Sequence, residues 1–406
     1  MRTGATGGPP LATRARRLGI SPTVAMAARA RALRERGVRV LDFTVGEPDQ
    51  PTPPHVVEAG RSAIAAGRTR YGPASGLPEL RAAVVHRYRE DFAVRLVPEE
   101  VAITVGGKQA LALFYQAVLD RGSEVVVPVP AWPTFAEAAR VAGGAPVLVP
   151  LSEKNGFRIT ARAVAKALSP RTRAVVVNSP CNPTGAVVDP EELLKIAGLA
   201  RRHRFWLVYD DTYVQLVFTD QPPPALQAVK GAAAGALVVV GTVSKSYCMT
   251  GWRVGWLMGP RALVEAATAL NSHSVQGPAT FSQLAAAEAL TASQQPLRAM
   301  AAEYRQRRDL VHPRIAALPG VRCLLPDGGF YVFPDVTRSL SREVPDTQAL
   351  ATRLLEEKSV AVVPGEGFHA PGFFRLSFAA APADLEEGTR RIAEFFALHA
   401  PGRRRA

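Results

Sequence analysis

The sequence has few cysteines, no long apolar run and no export signal. Its three cysteines, Cys181, Cys248 and Cys323, are too widely spaced for a disulfide framework or a zinc site, so no metal is predicted. No apolar run approaches the roughly 20 residues that span a bilayer. The N-terminal arginines are not followed by the apolar core of a signal peptide. We therefore expect a cytoplasmic protein without a membrane partner.

The positive charge does not form the pattern of a nucleic-acid binder. The formal net charge is +14, but the arginines are scattered in small clusters, with no helix-turn-helix, zinc finger or aromatic platform beside them. We expect no nucleic-acid partner and an electrostatic preference for anionic substrates. With 406 residues, of which 47% are hydrophobic, the chain is long enough for two domains or one large α/β domain with an appendage.

Short apolar segments alternate with amphipathic helices through the first three quarters of the chain. This alternation predicts a mostly parallel sheet covered by helices on both faces, an α/β fold. The predicted strands are Val101–Thr104, Glu124–Val127, Pro146–Val149, Arg173–Val177, Phe205–Tyr209, Ala236–Val240 and Val254–Met258. The predicted helices between them are Lys108–Leu119, Pro133–Val141 and Pro190–His203.

After Gly277 the pattern changes to two helices followed by shorter strands, which predicts a second, smaller α+β unit. Its predicted elements are helices Ala279–Ala292, Pro296–Ala317 and Pro382–Leu398 and strands Val321–Leu325, Phe330–Phe333, Val360–Val363 and Arg375–Phe378. The N-terminal helix Thr23–Arg36 is expected to pack with this unit. We predict a large domain over residues 48–312, a discontinuous small domain over 13–47 plus 313–406, and a flexible tail over 1–12.

One lysine has surroundings that suit a covalent cofactor. Lys245 follows the apolar run 236–240, lies between Ser244 and Ser246, and precedes Arg253 by eight residues. An amine that forms a Schiff base, next to hydroxyls and a cation that bind phosphate, is what pyridoxal 5'-phosphate (PLP) requires. The alternative is an ordinary surface lysine in a loop between strands.

Polar residues follow four of the predicted strands, and ligands bind beyond the carboxyl ends of parallel strands. Asp210 is the candidate for the buried carboxylate that keeps the pyridine nitrogen of PLP protonated. Asp211 is the alternative, although strand alternation turns neighbouring side chains to opposite faces. Tyr213 and Asn182 are candidates for hydrogen bonds to the phenolate oxygen of the cofactor.

A set of motifs along the chain carries a family resemblance. The motifs are Thr44–Asp49, Tyr71–Pro73, Gly106–Ala110, Asn182–Gly185, Asp210–Tyr213, Ser244–Arg253, Val362–Gly365 and Phe374–Ser377. In this order, over roughly residues 20 to 390, they resemble the class I/II aminotransferases, which are fold-type-I PLP enzymes, near the bacterial aspartate/prephenate branch. The resemblance implies a large domain built on a seven-stranded, mostly parallel sheet and a smaller α+β domain.

The resemblance implies a role for each matched residue around the cofactor. Lys245 would be the Schiff-base lysine and proton shuttle, and Asp210 would pair with the ring nitrogen. Asn182 and Tyr213 would bind the phenolate oxygen, and Trp132 would stack on the ring. The phosphate would be held by the backbone amides of Gly107 and Lys108, by Thr242, Ser244 and Arg253, and by Tyr71 of a neighbouring subunit, which implies a homodimer with shared sites.

The substrate would meet a second implied set of residues. Arg375 would bind the α-carboxylate as a bidentate fork, and Gly46 would let the substrate approach the backbone closely. Trp132 and Asn182 would also border the substrate. Ser21, Thr23 and the Lys108 side chain would face the distal carboxylate of an acidic substrate such as aspartate or glutamate.

The implied reaction is a ping-pong transfer of an amino group between an L-amino acid and a 2-oxo acid, through aldimine and quinonoid intermediates. Two residues depart from the family pattern: Cys181 replaces a usual asparagine, and Asp211 stands where glutamate is frequent. One alternative is a PLP enzyme of specialised metabolism that catalyses elimination, cyclisation or oxidation on the same scaffold. Another is a ligand-sensing regulator, which we do not expect because only about 40 residues precede Leu41.

Overall fold

The computed structural model describes residues 11–12, 15–16, 19, 22–220 and 223–399. Most of the predicted tail over 1–12, and the candidate substrate residue Ser21, lie outside the described residues.

A seven-stranded sheet forms the centre of the fold. Its strands are β2 (Val101–Thr104), β3 (Glu124–Val129), β4 (Ala145–Pro150), β5 (Thr172–Asn178), β6 (Trp206–Asp210), β7 (Leu237–Thr242) and β8 (Gly255–Met258). They lie in the order β2-β8-β7-β6-β5-β3-β4, and β8 runs in the opposite direction to the other six strands. The predicted α/β fold class with a mostly parallel sheet is confirmed.

Helices cover both faces of this sheet because its strands are apolar on both sides. The helices are α2 (Pro54–Ala65), α3 (Pro78–Phe92), α4 (Gly106–Val118), α5 (Thr134–Val141), α6 (Ala161–Ala167), α7 (Pro190–His203), α8 (Leu226–Ala233), α9 (Arg261–Ser272) and α10 (Thr280–Thr291). The predicted bounds of α7 are correct because its start is strongly encoded. Asp189 accepts hydrogen bonds from the Glu191 and Glu192 amides, and Pro190 occupies the first helical position.

The remaining elements pack around a separate hydrophobic cluster that includes Met26, Phe43, Tyr304 and Phe395. They are α1 (Pro22–Glu35), β1 (Leu41–Asp42), α11 (Gln295–Ala316), β9 (Tyr331–Val332), α12 (Thr347–Lys358), β10 (Val360–Ala361), β11 (Val363–Pro364), β12 (Phe374–Ser377) and α13 (Pro382–Leu398). Strands β1 and β10 pair in parallel, and β11, β12 and β9 form an antiparallel sheet. No helix among the described residues is long and apolar enough to cross a membrane.

Two strand predictions in this part are wrong. The predicted strand Val321–Leu325 is irregular and makes only an isolated bridge between Arg322 and Asp335. Val321 is buried, but Leu324 and Leu325 are both exposed, so the second half of this segment lacks the alternation of a half-buried strand. The predicted strand Val360–Val363 is two strands, since β10 pairs with the N-terminal β1 and β11 turns to pair with β12.

The sheet topology places the site. Strand β2 runs antiparallel to β8, which runs antiparallel to β7, so β2 points the same way as β5, β6 and β7. The carboxyl ends of these four strands therefore lie at one edge of the sheet, where polar side chains follow each strand.

Candidate active site

Lys245 lies in the turn that joins β7 to β8, and its amine reaches a different part of the chain. Lys245 Nζ donates a hydrogen bond to the carbonyl oxygen of Gly46 at 2.6 Å. Burial lowers the pKa of Lys245 to about 8; Glu47 opposes this shift and nearby cations, first Arg375, add to it. A lysine with this pKa has a substantial neutral fraction near pH 8, as a nucleophilic amine needs.

Asp210 ends β6 in a buried, polar setting. Its Oδ1 accepts hydrogen bonds from Asn178 Nδ2 at 3.2 Å and from the Thr212 amide at 3.1 Å. Burial raises the pKa of Asp210 to about 6 against the effect of these hydrogen bonds. Asp211, the alternative, instead accepts a hydrogen bond from Tyr88. The two aspartates therefore have separate partners, as strand alternation predicts.

A region suited to an anion lies where α4 begins. Gly106 has φ +77°, and a Cβ there would lie 2.8 Å from Arg253 Nη2, so the helix start and the guanidinium are close. The free N–H groups of a helix start bind anions. Thr242, the last residue of β7, and Ser244 in the following turn have their hydroxyl oxygens 2.8 Å apart. Gly107, at the same helix start, lies close to Thr242.

Arg375 is buried on β12 in a fixed orientation. Its Nη2 donates to the carbonyl oxygen of Thr44 at 2.7 Å, and its Nη1 donates to Asn182 Oδ1 at 2.9 Å. The guanidinium lies 4.3 Å from the ring centre of Tyr331. Arg375 Nε is buried and has no hydrogen-bond partner among the described residues. The arrangement leaves donors for an incoming carboxylate.

Tyr331 is a residue of this site that sequence reasoning missed. Its hydroxyl lies 2.8 Å from the hydroxyl of Tyr213, and a Cβ on Gly46 would lie 2.8 Å from the same oxygen. Tyr331 therefore connects Tyr213 to Arg375. The only sequence signal was an apolar strand, which carries no information on a hydroxyl contact 118 residues away.

The remaining predicted site residues are Lys108, Trp132, Tyr71 and Thr23. Lys108 Nζ lies 5.2 Å from the ring centre of Trp132, and its pKa is lowered by desolvation of the ammonium and by Arg253. Tyr71 is 93% exposed. Thr23 lies in the first turn of α1.

These residues fit PLP. Lys245 supplies an amine for the aldehyde, Asp210 a carboxyl group for the ring nitrogen, and the start of α4 with Arg253 a cationic cradle for the phosphate. The cradle requires a glycine at position 106, because a Cβ there would occupy the space next to Arg253. Fold and donor set together define a PLP-dependent enzyme of the fold-type-I class.

Comparison with known proteins identifies the family. Residues 38–392 match the family model for aminotransferase class I and II. A probable aspartate/prephenate aminotransferase of Thermus aquaticus is 43% identical over 95% of this chain and 98% of its own length. Its counterpart in Aquifex aeolicus is 39% identical over 94% of this chain and 97% of its own. The aspartate aminotransferase structure of Thermus thermophilus with maleate has a TM-score of 0.89 at 41% identity, covering 95% of this chain and all of the other.

The chain therefore belongs to the class I and II aminotransferases, and it is a PLP-dependent transferase of amino groups, as the resemblance predicts. The relatives compared above give no support to elimination, cyclisation or oxidation as the main reaction.

Proposed function

We propose that this enzyme moves the amino group between an acidic L-amino acid and a 2-oxo acid, and that Lys245 and Arg375 are its central residues. One observation carries the proposal: both side chains converge on the segment 44–46. Lys245 Nζ donates to the Gly46 carbonyl at 2.6 Å, and Arg375 Nη2 donates to the Thr44 carbonyl at 2.7 Å. A substrate whose α-carboxylate binds Arg375 therefore has its α-carbon within reach of the lysine amine.

PLP, when bound, withdraws electrons from the α-carbon of the substrate. Lys245 Nζ would then remove the proton from that carbon, since its lowered pKa, about 8, leaves more of the amine neutral than in an unperturbed lysine. Asp210 would hold the ring nitrogen, and Asn182 and Tyr213 would hold the phenolate oxygen. Trp132 would border the ring. Gly107, Lys108, Thr242, Ser244 and Arg253 would hold the phosphate, and Gly46 would leave room for the substrate.

An acidic donor such as aspartate or glutamate is supported by a cation beside the site. The Lys108 ammonium lies over Trp132, where it can meet a second carboxylate. Thr23 is proposed to border the same carboxylate. The helix that carries it contacts the turn 365–368, and Phe368 of that turn lies 5.1 Å from the Arg375 guanidinium. The names of the relatives, aspartate and prephenate aminotransferases, point the same way.

A donor and acceptor screen tests this proposal. The enzyme loaded with PLP is incubated with each amino acid and each of several 2-oxo acids, and the products are identified by mass spectrometry. We expect the highest kcat/KM with aspartate, glutamate or a related dicarboxylic donor. Lys108→Met should lower kcat/KM for these donors about tenfold while leaving alanine unaffected. Turnover confined to neutral or aromatic donors would refute the acidic-substrate assignment.

We further propose a cytoplasmic homodimer in which Tyr71 contributes to the site of the partner subunit. Tyr71 is 93% exposed, and its segment is tied to the loop 271–280 by hydrogen bonds from Asn271 and Thr280 to the carbonyls of Ala74 and Arg70. Val275 on that segment is also exposed. We retain the division into residues 48–312 and 13–47 plus 313–406 as the domain proposal.

A further inference from the structure

A buried chain of hydrogen bonds lies on the face of the sheet opposite Asp210. Trp256 Nε1 donates to the hydroxyl oxygen of Tyr88 at 3.1 Å, and the Tyr88 hydroxyl donates to Asp211 Oδ2. Each of the three residues is at most 4% exposed. We call Tyr88, Asp211 and Trp256 the positioning network. Neither Tyr88 nor Trp256 belongs to the predicted cofactor or substrate residues, and Asp211 was predicted only as the alternative to Asp210.

Packing confirms that the network and Asp210 lie on different faces. Leu207 and Tyr209 of β6 pack in the same hydrophobic cluster as Tyr88, whereas Val208 packs with Tyr115 in the cluster on the other face. Asp210 shares the parity of Val208, and Asp211 shares that of Leu207 and Tyr209. A single peptide unit thus joins Asp211, which is held on the Tyr88 face, to Asp210, which lies on the opposite face.

The strand beside β6 has a glycine where the network crosses it. Gly241 of β7 lies opposite Trp256 of β8, and a Cβ on Gly241 would lie 2.1 Å from Trp256 Nε1 and 2.6 Å from the Tyr88 hydroxyl. Any other residue at 241 would displace both groups. The backbone of Asp211 also donates to the Val240 carbonyl at 3.2 Å, so the network is bonded to β6, β7 and β8 together.

We propose that the positioning network holds the carboxyl end of β6 so that the Asp210 carboxylate is presented to the pyridine nitrogen of PLP. The inference rests on the proposed cofactor site. Asp211 acts here through the backbone and is a positioning residue, since its side chain is bound to Tyr88. Hydrogen bonds in a low-dielectric interior are strong, and an unpaired buried group is costly, so the network has one preferred arrangement.

The charge state of Asp211 agrees with this role. Burial raises the pKa of Asp211 to about 8, with Tyr88 opposing and Asp210 adding to the shift. At neutral pH the Asp211 carboxyl group is therefore largely protonated. It holds Tyr88 without placing a second negative charge beside Asp210.

Two tyrosine variants separate this role from a general effect on the core. Tyr88→Phe removes the central hydroxyl of the network. Tyr115→Phe makes the same change on the Asp210 face, where the hydroxyl has no hydrogen-bond partner among the described residues. The measurements are the melting temperature of the apoprotein, the Kd for PLP and the circular dichroism of bound PLP. We expect Tyr88→Phe to weaken PLP binding about tenfold and to change the dichroism, and Tyr115→Phe to change neither.

Variants of Asp211 and Trp256 test the same role independently of Tyr88. Asp211→Asn keeps an oxygen that accepts from Tyr88, so it should bind PLP within about twofold of the native protein, whereas Asp211→Ala should resemble Tyr88→Phe. If Tyr88→Phe does not fold, Trp256→Phe removes the outer donor and should weaken PLP binding in the same direction.

Each outcome bears on one proposal. Native PLP affinity and dichroism in a folded Tyr88→Phe or Trp256→Phe protein would overturn the positioning role, as would equal losses in Tyr115→Phe. An Asp211→Asn protein as impaired as Asp211→Ala would also overturn it. If the native protein itself does not form an imine with PLP, the proposed cofactor site has failed instead.

Discussion

Lys245 and Gly46 are 199 residues apart in the chain, and the lysine ammonium donates to the glycine carbonyl at 2.6 Å. This bond joins the turn between β7 and β8 to the segment that follows β1. The same segment accepts from Arg375 through Thr44. Lys245 and Arg375 are thus both hydrogen-bonded to the short segment 44–46. This shared segment sets the distance between the two side chains.

The pKa of Lys245 should respond to Glu47. Glu47 favours the charged form of the lysine, so Glu47→Gln should lower the pKa further below about 8. Only the neutral amine attacks an aldehyde, and the pH profile of the rate at which the apoenzyme forms its imine with PLP should therefore move to lower pH. Stopped-flow absorbance measures this rate. Thr250→Val removes the hydrogen bond from Thr250 to Glu47 but keeps the charge, and should leave the profile in place. A profile unchanged by Glu47→Gln would contradict the electrostatic account.

Arg375→Lys should impair substrate binding and leave cofactor binding intact. Lysine cannot reproduce two parallel N–H donors, and it loses the hydrogen bonds to Thr44 and Asn182. We expect kcat/KM for amino donors to fall by about 100-fold or more, or roughly 3 kcal/mol in transition-state binding. Steady-state kinetics measures kcat/KM, and titration of the apoprotein with PLP measures the cofactor affinity. A matching loss of PLP affinity would show that the arginine supports the fold instead.

Two glycines close to Arg253, Gly251 and Gly255, should behave differently on substitution by alanine. A Cβ on Gly255 would lie 2.6 Å from the Gly106 carbonyl carbon and the Gly107 nitrogen, which are backbone atoms that cannot move cheaply. Gly251 has nothing within 4 Å of the equivalent position. Gly255→Ala should therefore cost about 2 kcal/mol or more of stability and weaken PLP binding through the displaced start of α4. Gly251→Ala, the control, should keep native thermal unfolding and PLP affinity; equal behaviour of the two would argue against a tightly packed cradle.

The contribution of Asp211 to stability should fall as pH rises. Its pKa is about 8 in the folded protein against 3.8 for an unperturbed aspartate, so ionisation is disfavoured by folding. Between about pH 4 and pH 8 the unfolded chain has already released this proton, whereas the folded protein still holds it. The free energy of unfolding therefore falls as the pH rises through this range. Asp211→Asn does not titrate. The melting temperature of the variant minus that of the native apoprotein should thus increase from pH 5 to pH 8, and a pH-independent difference would contradict the assignment.

A shared site predicts complementation between two inactive proteins. Tyr71→Ala keeps Lys245, and Lys245→Ala keeps Tyr71. If Tyr71 acts in the partner's site, a hybrid dimer has one site with both groups native, and random mixing restores roughly a quarter of native sites. Activity assays after dissociation and reassociation measure the gain. No gain on mixing, with dimers confirmed by ultracentrifugation, would place Tyr71 in its own chain's site or outside any site.

Much of the fold could be predicted because its signals are local. Apolar strands alternate with helices, and α7 is bounded by Asp189 and Pro190, so element types and several bounds were correct. The strand predicted at Val321–Leu325 failed because an apolar pattern does not show whether a partner strand is present. Its β-type pairing is limited to one isolated bridge, between Arg322 and Asp335.

The candidate site was predictable where a residue type has a distinctive neighbourhood, as for Lys245 and Asp210. Tyr331 and Tyr88 were not predictable, since their hydroxyls act on Tyr213 and Asp211 across more than a hundred residues of sequence. Nothing in the local pattern separates such a tyrosine from an ordinary buried aromatic. Contacts of this kind depend on which faces the sheet brings together.

The fixed guanidinium of Arg375 has a thermodynamic consequence. Of its five N–H donors, one is used by the Thr44 carbonyl and one by Asn182, and the ring of Tyr331 lies against its plane. The conformational entropy of a free arginine side chain, about 2 kcal/mol, is thus lost when the protein folds and not when a ligand arrives. Simple carboxylic acids that lack an amino group should therefore bind this site measurably, as competitive inhibitors of the amino-acid substrate.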